Sequence, residues 1–391
     1  MADANPLPAT PPLAMTVEGN RLSLLPDGPE RLDALIALIE GAERTLRVLY
    51  YMFLDDAAGA RVRDALIAAA DRGVKVWLLV DGFGSDGAKA EFFDPLVRSK
   101  VGFCRFSAKY GRRYLLRNHQ KLALADETHV ITGGFNISDD YFGTDEAGAW
   151  RDLGIAVEGE GVRSLTGYFD DLFEWAQRPG ARIRDLRKML QQHSVTEGKL
   201  RWLFGGPTRR LSPWARAVRK DMKSARRLDL IAAYFSPSPG MLRRIAGVAR
   251  NGTARVLTAG KSDNNATIGA ARFTYGWLLK RGVEIFEYLP TKLHTKLFVV
   301  DDVVHIGSAN FDMRSLFLNL EMMLRVDDPA FAAAMRTFVD DEIAQSLHIT
   351  RECHHAQRTL LNRVKWGLAY FVVAVADYRI ARGLNFGIDG R

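Results

Sequence analysis

The chain has 391 residues, of which 47% are hydrophobic, and this is enough for two domains of ordinary size with sizeable cores. Its formal net charge of +8 favours anionic partners such as nucleic acid, anionic lipid or phosphorylated substrates, without choosing among them. The two cysteines, Cys104 and Cys353, are far apart in sequence, which argues against a disulfide framework and a cysteine-based zinc site.

The N-terminal region is rich in proline and lacks the basic and apolar segments of a secretory signal. We therefore predict a disordered tail over residues 1–20. No later stretch reaches the roughly 20 apolar residues that a membrane-spanning helix requires. The nearest approach, at residues 364–376, is interrupted by Lys365, so no spanning helix is predicted.

The same order of elements then occurs twice along the chain. A helix end leads into an apolar strand at residues 42–51 and again at 225–234. Next, a helix that ends at a glycine leads into another strand, at residues 70–79 and again at 249–257. This repetition predicts an α/β fold in which two homologous α/β sandwich domains, each with a mixed sheet, are related by a pseudo-twofold axis.

The predicted domain boundaries follow this repetition. The first domain covers residues 21–195 and the second covers residues 196–350. A linker is predicted near residues 178–208, where charged residues mix with proline and glycine. Residues 351–391 are predicted to form a C-terminal amphipathic segment that associates with membranes.

Each half carries one copy of a short motif, which reads His119-Gln-Lys121 in the first half and His294-Thr-Lys296 in the second. Residues two apart on a strand point to the same face, so each copy presents an imidazole beside an ammonium group. Two such pairs that meet would surround one phosphodiester with two proton-carrying nitrogens and two positive charges. A lone His-x-Lys pair is usually an exposed edge pair, but its occurrence at matching places in two domain copies favours a catalytic site.

Acidic residues complete each copy. Asp126 and Asp301 belong to the motif and are counted among the candidate catalytic residues, although each lies seven residues beyond its histidine. Because that offset is odd, an unbroken strand would place them on the opposite face, and we expect them to hold the following turn. A different carboxylate must then orient each histidine, and Asp152 and Glu321 stand at corresponding places after the two copies.

The turn behind each motif is predicted to bind or support the phosphate. Asn136 and Asn310 would donate amide hydrogen bonds to its non-bridging oxygens, with Gly134 and Ser308 as supporting residues in the same turns. One imidazole would attack phosphorus and the other would protonate the leaving oxygen, while the lysines neutralise the phosphate. This chemistry requires neither a metal nor a cofactor, and none is predicted.

These motifs carry a family resemblance over about residues 32–349. The duplicated pattern resembles that of the phospholipase D superfamily, and the chain looks most like the bacterial cardiolipin synthases of phospholipase D type. Many such synthases begin with two spanning helices, so the chain resembles the shorter subgroup without them. The narrower resemblance rests on Tyr50-Tyr51-Met-Phe-Leu-Asp55-Asp56, on Trp150-Arg151-Asp152, and on Asn310-Phe-Asp-Met-Arg314 with Asn319-Leu-Glu321.

The resemblance implies a covalent phosphatidyl-histidine intermediate, with His119 as the nucleophile and His294 as the general acid and base. It also implies a crosswise arrangement in which Glu321 orients His119 and Asp152 orients His294. The implied reaction transfers a phosphatidyl group from phosphatidylglycerol to a second phospholipid or a related alcohol and releases glycerol. The residues by themselves do not decide which histidine attacks.

Other functions fit the same motifs. Water would capture the intermediate in a phospholipase D, which hydrolyses phospholipids to phosphatidic acid. The basic composition permits a phosphodiesterase or nuclease, but no run that interleaves aromatic with basic residues indicates nucleic-acid binding, and none is expected. The intact motifs argue against a non-catalytic membrane scaffold. The oligomeric state stays open, because the duplication completes the site within one chain.

Two segments are candidates for membrane contact. Residues 209–227 are rich in arginine and lysine around Trp214, a pattern equally typical of a solvated helix face. Residues 360–384 combine aromatic and aliphatic residues with flanking cations, which is typical of an interfacial helix or of a helix packed on the catalytic domain. We expect anionic phospholipid substrates and peripheral association with the cytoplasmic face of the cell membrane.

Overall fold

The computed structural model describes residues 14–106, 116–208 and 211–376. In this part of the chain, each half forms one eight-stranded mixed sheet, and a short two-stranded ribbon lies beside them. The first sheet consists of β1 (Ala14–Val17), β2 (Asn20–Leu25), β3 (Thr45–Tyr50), β4 (Lys75–Asp81), β5 (Gly102–Phe106), β6 (Leu122–Ala125), β7 (His129–Gly133) and β8 (Gly154–Glu158). The remaining strands are β9 (Leu200–Gly205), β10 (Arg227–Ala232), β11 (Phe235–Ser236), β12 (Thr253–Ala259), β13 (Glu284–Tyr288), β14 (Lys296–Val300), β15 (Val303–Gly307), β16 (Phe311–Asp312), β17 (Glu321–Asp327) and β18 (Ser346–His348).

Seven strands of each sheet repeat one topology, and β1 and β18 are added at opposite edges of it. The first has the spatial order β1-β2-β8-β7-β6-β3-β4-β5, and the second has the order β18-β13-β12-β10-β14-β15-β17-β9. In the first, β3 pairs in parallel with β4 and antiparallel with β6; in the second, β10 pairs in parallel with β12 and antiparallel with β14. The predicted fold class, two homologous halves that each carry a mixed sheet, is therefore confirmed.

Helices cover both faces of each sheet. They are α1 (Gly28–Gly41), α2 (Ala57–Asp71), α3 (Ala90–Arg98), α4 (Asp139–Phe142), α5 (Ser164–Gln177), α6 (Ile183–His193), α7 (Pro213–Asp221), α8 (Pro239–Asn251), α9 (Asn265–Leu279), α10 (Met313–Phe317), α11 (Pro329–Ala344), α12 (Arg351–Gln357) and α13 (Leu360–Tyr370). A 3₁₀ turn spans Glu160–Val162, and a π-helical turn at Phe371–Ala376 extends α13.

A core shared by both halves lies between the two sheets. It contains side chains of both sheets together with α5, α6 and α11, whereas α1 to α3 and α7 to α9 cover separate outer cores. Strand β6 shows the alternation that makes this possible, because Leu122 and Leu124 point into the shared core while Ala123 and Ala125 point into the outer one. The shared core fixes the two motif strands relative to each other.

The prediction of a disordered tail is wrong for residues 14–20, which form β1 and the start of β2. Their hairpin turns at Glu18 and Gly19, which have φ values of 47° and 75°. Strand β1 is ordered because it pairs with β2 and because Val17 is buried in the shared core. Residues 1–13, which include the prolines, lie outside the described residues.

The segment predicted as a linker contains regular structure. Helix α6 packs on α5, and β9 pairs with β17, so the second sheet takes its edge strand from this segment. In the basic segment 209–227, Trp214 is fully buried in the outer core of the second half and is not a surface residue. Residues 209 and 210 lie outside the described residues.

The C-terminal segment begins with α12 and α13, and α13 packs along α9. Residues 377–391 of the predicted membrane-associating segment lie outside the described residues. Among the helices of residues 14–106, 116–208 and 211–376, none combines the length and apolar character needed to cross a bilayer.

Candidate active site

The two halves meet through a matched pair of backbone bridges. In the first, the N–H of His119 donates to the carbonyl of Leu320 at 2.9 Å; in the second, the N–H of His294 donates to the carbonyl of Arg151 at 2.7 Å. In each case the acceptor immediately precedes an acidic residue of the opposite half. The backbone itself therefore brings each histidine to a carboxylate of the other domain.

The side chains continue this crosswise arrangement. Nδ1 of His119 lies 3.1 Å from Oε2 of Glu321, and Nδ1 of His294 lies 2.6 Å from Oδ2 of Asp152. Both carboxyl side chains are completely buried. Because a carboxylate only accepts hydrogen bonds, each Nδ1 carries a proton and each Nε2 keeps its lone pair for chemistry. These are the partners that the family resemblance implied.

The buried carboxylates stay ionised at neutral pH. Burial raises the pKa of Glu321, but its interactions with His119, Lys121 and Ser308 together outweigh burial and hold the pKa below its ordinary value. Burial likewise raises the pKa of Asp152, and Lys296 and His294 together lower it again. Each carboxylate thus remains a hydrogen-bond acceptor that fixes the tautomer of its histidine.

The histidines are neutral at pH 7. Burial lowers the pKa of His119, and burial together with the charge of Lys296 lowers the pKa of His294 to about 3. Glu321 and Asp152 oppose these shifts without reversing them. A neutral imidazole whose Nε2 is unprotonated is the form in which histidine acts as a nucleophile or a base.

The motif lysines lie beside their histidines, as the strand spacing predicts. Nζ of Lys121 donates to the carbonyl of His119 at 2.6 Å, and Nζ of Lys296 donates to the carbonyl of His294. Burial lowers the pKa of Lys121 to about 7 and that of Lys296 to about 8, although nearby carboxylates oppose the shift. An anion bound beside them would favour their charged form.

Gly134 and Ser308 act on the carboxylates. A Cβ atom on Gly134 would lie 2.3 Å from Oδ1 of Asp152, so a larger residue does not fit beside that carboxylate. At the corresponding place in the second half, Oγ of Ser308 donates to Oε2 of Glu321 at 2.5 Å, and Oγ of Ser315 donates to Oε1 at 2.8 Å. The two turn residues therefore support the site by positioning the carboxylates that contact the histidines.

Asn136 and Asn310 are both buried at the wall of the same cavity as the histidines. Nδ2 of Asn136 donates to Oη of Tyr141 at 2.9 Å. Oδ1 of Asn310 accepts from the N–H of Tyr234 at 3.2 Å. These contacts fix both amides at the cavity wall, where they remain candidates for phosphate binding.

Asp126 and Asp301 do not line this cavity, and the prediction that counts them among the catalytic residues is corrected. The carboxylate of Asp126 accepts backbone hydrogen bonds from Glu43, Arg44 and Thr45 at 2.8 to 2.9 Å. Asp301 accepts equivalent bonds from the backbone N–H groups of Arg226 and of Arg227, the first residue of β10. Both lie at the far end of the motif strand, at φ values of 48° and 47°, where they tie a hairpin to the start of the neighbouring strand. They secure the turn, as the strand spacing indicates.

The cavity has a volume of about 470 Å³, and both histidines line it. The ring of Tyr51 lies 5.0 Å from that of His119, and the ring of Tyr141 lies 5.1 Å from that of His294. The indole of Trp150 lies 5.4 Å from His294 as well. These aromatic rings form part of the cavity wall around the two imidazoles.

The sequence analysis missed several residues of this cavity. Oη of Tyr234 donates to Asp263 at 2.7 Å, and the guanidinium of Arg117 stacks 3.9 Å above the ring of Phe83. Tyr234 had a detectable signal, since it follows β10 as Tyr51 follows the corresponding strand β3 in the other half. The other residues lie in connections where the repeat gives no register.

In the described parts of the chain, no group of three or more histidine, cysteine, aspartate or glutamate side chains is arranged to hold a metal ion. The charged and amide side chains that line the cavity are two imidazoles, two guanidinium groups, three amides and two carboxylates, from His119, His294, Arg117, Arg314, Asn136, Asn310, Asn319, Asp263 and Asp312. The imidazoles, guanidinium groups and amides can donate hydrogen bonds to a phosphate.

The fold and the paired His–Lys motifs define a phospholipase D-type enzyme of the phosphatidyltransferase class. The chain belongs to the family described as cardiolipin synthase, PLD-like domain, which matches residues 35–173 and 218–342. The two matched segments correspond to the two homologous halves.

Relatives named cardiolipin synthase agree with this assignment. The chain is 29% identical to cardiolipin synthase of Listeria monocytogenes over 368 residues, and this alignment covers 90% of this chain and 74% of the relative. It is 29% identical over 372 residues to cardiolipin synthase A of Edwardsiella ictaluri, with 91% and 75% covered. It is also 31% identical over 309 residues to cardiolipin synthase of Alkalihalophilus pseudofirmus, with 76% and 61% covered.

Two solved structures share the fold. Phosphatidylserine synthase of Haemophilus influenzae superimposes with a TM-score of 0.75 at 16% identity, over 95% of this chain and 96% of that one. Polyphosphate kinase of Porphyromonas gingivalis gives a TM-score of 0.55 at 14% identity, over 82% of this chain and 50% of that one. At these identities the likeness concerns the fold alone.

Proposed function

We propose that this phosphatidyltransferase moves a phosphatidyl group from phosphatidylglycerol to a second phospholipid or a related alcohol through a phosphohistidine. One observation carries the proposal: two imidazoles line one cavity, and each is bonded at Nδ1 to a carboxylate of the opposite half. The names of the relatives support cardiolipin as the product.

In the first step, Nε2 of His119 attacks phosphorus. The bond from phosphorus to the glycerol oxygen breaks, and Nε2 of His294 gives its proton to that oxygen. His294 is neutral in the free enzyme, so it must take up a proton at Nε2 when substrate binds; the negative charges of the bound phosphate and of Asp152 favour this imidazolium. The shorter contact of this pair, 2.6 Å against 3.1 Å for His119 and Glu321, supports His294 as the acid.

In the second step, the hydroxyl group of the acceptor attacks phosphorus and its proton passes to Nε2 of His294. The phosphorus–nitrogen bond to His119 breaks, which restores the free enzyme. Splitting the displacement in this way lowers each barrier. Lys121 and Lys296 neutralise the non-bridging oxygens in both steps, and Asn136 and Asn310 donate hydrogen bonds to them.

Product analysis tests the reaction. Purified full-length protein is incubated with phosphatidylglycerol, and the lipids are separated. We expect cardiolipin and glycerol in equal amounts. Phosphatidic acid as the sole lipid product would replace transfer by hydrolysis, the alternative in which water captures the intermediate.

Trapping with a denaturing detergent at mildly alkaline pH tests the intermediate and the roles of the histidines, because a phosphorus–nitrogen bond survives these conditions and is cleaved by acid. Phosphatidylglycerol labelled in its phosphate should leave an acid-labile label on wild-type protein and on His294→Ala, in which the intermediate forms slowly but is resolved even more slowly. His119→Ala should carry no label and show no turnover. Label on His119→Ala would reverse the assignment.

We further propose that the substrates are anionic phospholipids met at the cytoplasmic face of the cell membrane, with peripheral association and without a nucleic-acid partner. The cationic and amide groups of the cavity suit a phosphate diester of either kind, so the distinction needs a direct test. Oligonucleotides should be neither cleaved nor retained at low salt, where phosphate-driven binding is strongest. Cleavage of DNA or RNA would contradict this part of the proposal.

A further inference from the structure

The C-terminal helix α13 has one face on the protein and one face in solvent. Trp366 is buried against the body of the protein, and the ring of Tyr370 stacks 4.9 Å from that of Phe273. The opposite face is apolar, and its side chains are between 47% and 77% exposed. They are Leu360, Leu361, Val364, Leu368, Phe371 and Val372. Their spacing forms one stripe along the helix and its π-helical extension.

Exposed cations flank this stripe. Arg358, Arg363 and Lys365 lie in or beside α13, and the sequence has no acidic residue from Cys353 to Ala376. Lys280 at the end of α9 is exposed as well. Within the described residues, none of these four cations has a carboxylate within ion-pairing distance. The face therefore combines an apolar stripe with uncompensated positive charge.

A groove lies between α9 and α13 beside this stripe. It has a volume of about 560 Å³ and is lined by Lys280, Arg358 and Arg363 together with the rings of Phe273 and Trp277. Cations above an apolar floor match an anionic headgroup whose acyl chains lie alongside.

The stripe ends beside the catalytic cavity. The π-helical turn Phe371–Ala376 contacts α10, and Oη of Tyr370 donates to the carbonyl of Pro237 at 3.4 Å. Helix α10 carries Arg314 and Ser315, which line the catalytic cavity. A bilayer in contact with the stripe would thus lie near the point where substrate must enter.

We propose that the outer face of α13, with the groove between α9 and α13, docks the enzyme on a bilayer that contains anionic phospholipid. The apolar stripe enters the interface, and Lys280, Arg358, Arg363 and Lys365 contact the headgroups. The proposal deepens the proposed function by naming the surface that meets the lipid, and it rests on that function for the nature of the substrate.

The test uses the full chain and vesicles of phosphatidylcholine alone or mixed in equal parts with phosphatidylglycerol. Wild-type protein should cosediment with the mixed vesicles and bind pure phosphatidylcholine much more weakly. The apolar variant Leu361→Ser/Val364→Ser/Leu368→Ser should bind mixed vesicles about tenfold more weakly, because the interfacial contact scales with apolar area. The charge variant Arg358→Gln/Arg363→Gln/Lys365→Gln should show a similar loss and a weaker dependence on salt.

A matched control removes three charges elsewhere. Arg243, Arg244 and Arg250 line a second basic groove between α7 and α8. Their replacement by glutamine changes the net charge equally, and binding to mixed vesicles should stay within about twofold of wild type, since only headgroup-contacting cations add to surface binding. An equal loss in this control would overturn the proposal, because attraction would then not be localised at α13.

Two further readouts separate docking from other roles of α13. Turnover of water-soluble short-chain phosphatidylglycerol should be unchanged in both α13 variants, while turnover in vesicles falls with binding. Loss of both activities would make α13 a structural support of the cavity and would overturn docking. If the apolar variant alters the sedimentation of lipid-free protein but not vesicle binding, a second copy of the chain covers the stripe instead. Wild-type protein that binds vesicles but turns over no lipid would contradict the proposed function and leave docking intact.

Discussion

The two carboxylates that orient the histidines are themselves held by different hydrogen-bond donors. Glu321 accepts from the hydroxyl groups of Ser308 and Ser315. Asp152 has a glycine at the place of Ser308, and its Oδ1 accepts from the backbone N–H of Leu153 at 2.7 Å. The halves are therefore chemically unequal at the site, which gives the two imidazoles room for different roles.

We expect Asp152→Asn to lower kcat by a factor on the order of 10³ to 10⁴, because the amide can donate to Nδ1 and favour the wrong tautomer of His294. The measurement is steady-state turnover of phosphatidylglycerol, with the melting temperature as a check of folding. Loss of less than tenfold would show that the carboxylate does not set the state of the histidine.

The matched control is Asp126→Ala, which removes an acidic residue of the motif outside the cavity. It should lower the free energy of unfolding by about 1–2 kcal/mol, since backbone N–H groups lose their acceptor, and leave kcat almost unchanged. A fall in kcat comparable to that of Asp152→Asn would restore Asp126 to the catalytic residues.

We expect the motif lysines to set the alkaline side of the pH profile. Lys121 has a pKa of about 7 and Lys296 one of about 8, so both lose their charge as the pH rises through these values. We expect kcat/KM to fall above about pH 7 to 8, because it reports groups of the free enzyme, and kcat to fall at higher pH, because bound phosphate favours the charged lysines. A kcat/KM that rises across this range would show that the lysines do not act as cations.

Among the elements, the turn after β7 must fit closely around Asp152. In Gly134→Ala, the added Cβ would displace the carboxylate, and we expect kcat to fall about 10²-fold from this shift in position. Gly247→Ala in α8 is the control, since nothing lies within 4 Å of the added Cβ. It should raise the free energy of unfolding by about 0.5–1 kcal/mol without affecting kcat. Equal activity of the two variants would contradict the fit at Gly134.

A buried ion pair links helix α11 to the segment of the first half that forms the backbone bridge to His294. Arg151, whose carbonyl holds His294, donates to Oε1 of Glu342 at 2.6 and 2.9 Å, and Glu342 is completely buried. Glu342→Ala should lower the free energy of unfolding by about 3 kcal/mol in denaturant titrations, because Arg151 would be left without this partner. Glu160→Ala, which removes the exposed ion pair between Glu160 and Arg163, should change the free energy of unfolding by less than about 1 kcal/mol. Similar values would place Arg151 in a solvated environment.

For the whole molecule, the shared core and the two bridges bring both motifs into one cavity without a second subunit. Both imidazoles line this cavity, and each has the lysine of its own motif beside it. We expect kcat in EDTA to stay within about twofold of its value without EDTA, because the histidines and lysines of the two motifs supply the charge that a metal ion would otherwise provide. Loss of activity on chelation and its return on addition of a divalent cation would overturn this mechanism.

Much of the fold followed from the repeat. Two copies of the strand–helix–strand order predicted two homologous mixed sheets, and the parity of strand positions placed His119 beside Lys121 and Asp126 away from them. The N-terminal strand β1 was missed because its order depends on pairing with β2 and on burial of Val17, not on local preference. Arg117, Asp263 and Phe83 were missed because contacts across loops leave no period in a sequence.

By itself, the sequence determined which residue types form the candidate site and that they occur twice, since periodicity and spacing are local properties of a strand. The tertiary structure alone decided how Glu321 and Asp152 meet their histidines at atomic distances, because two backbone bridges between the halves set those contacts. It also decided the protonation states, because burial and neighbouring charges, which no spacing encodes, lower the pKa values of Lys121 and Lys296 and keep the carboxylates ionised.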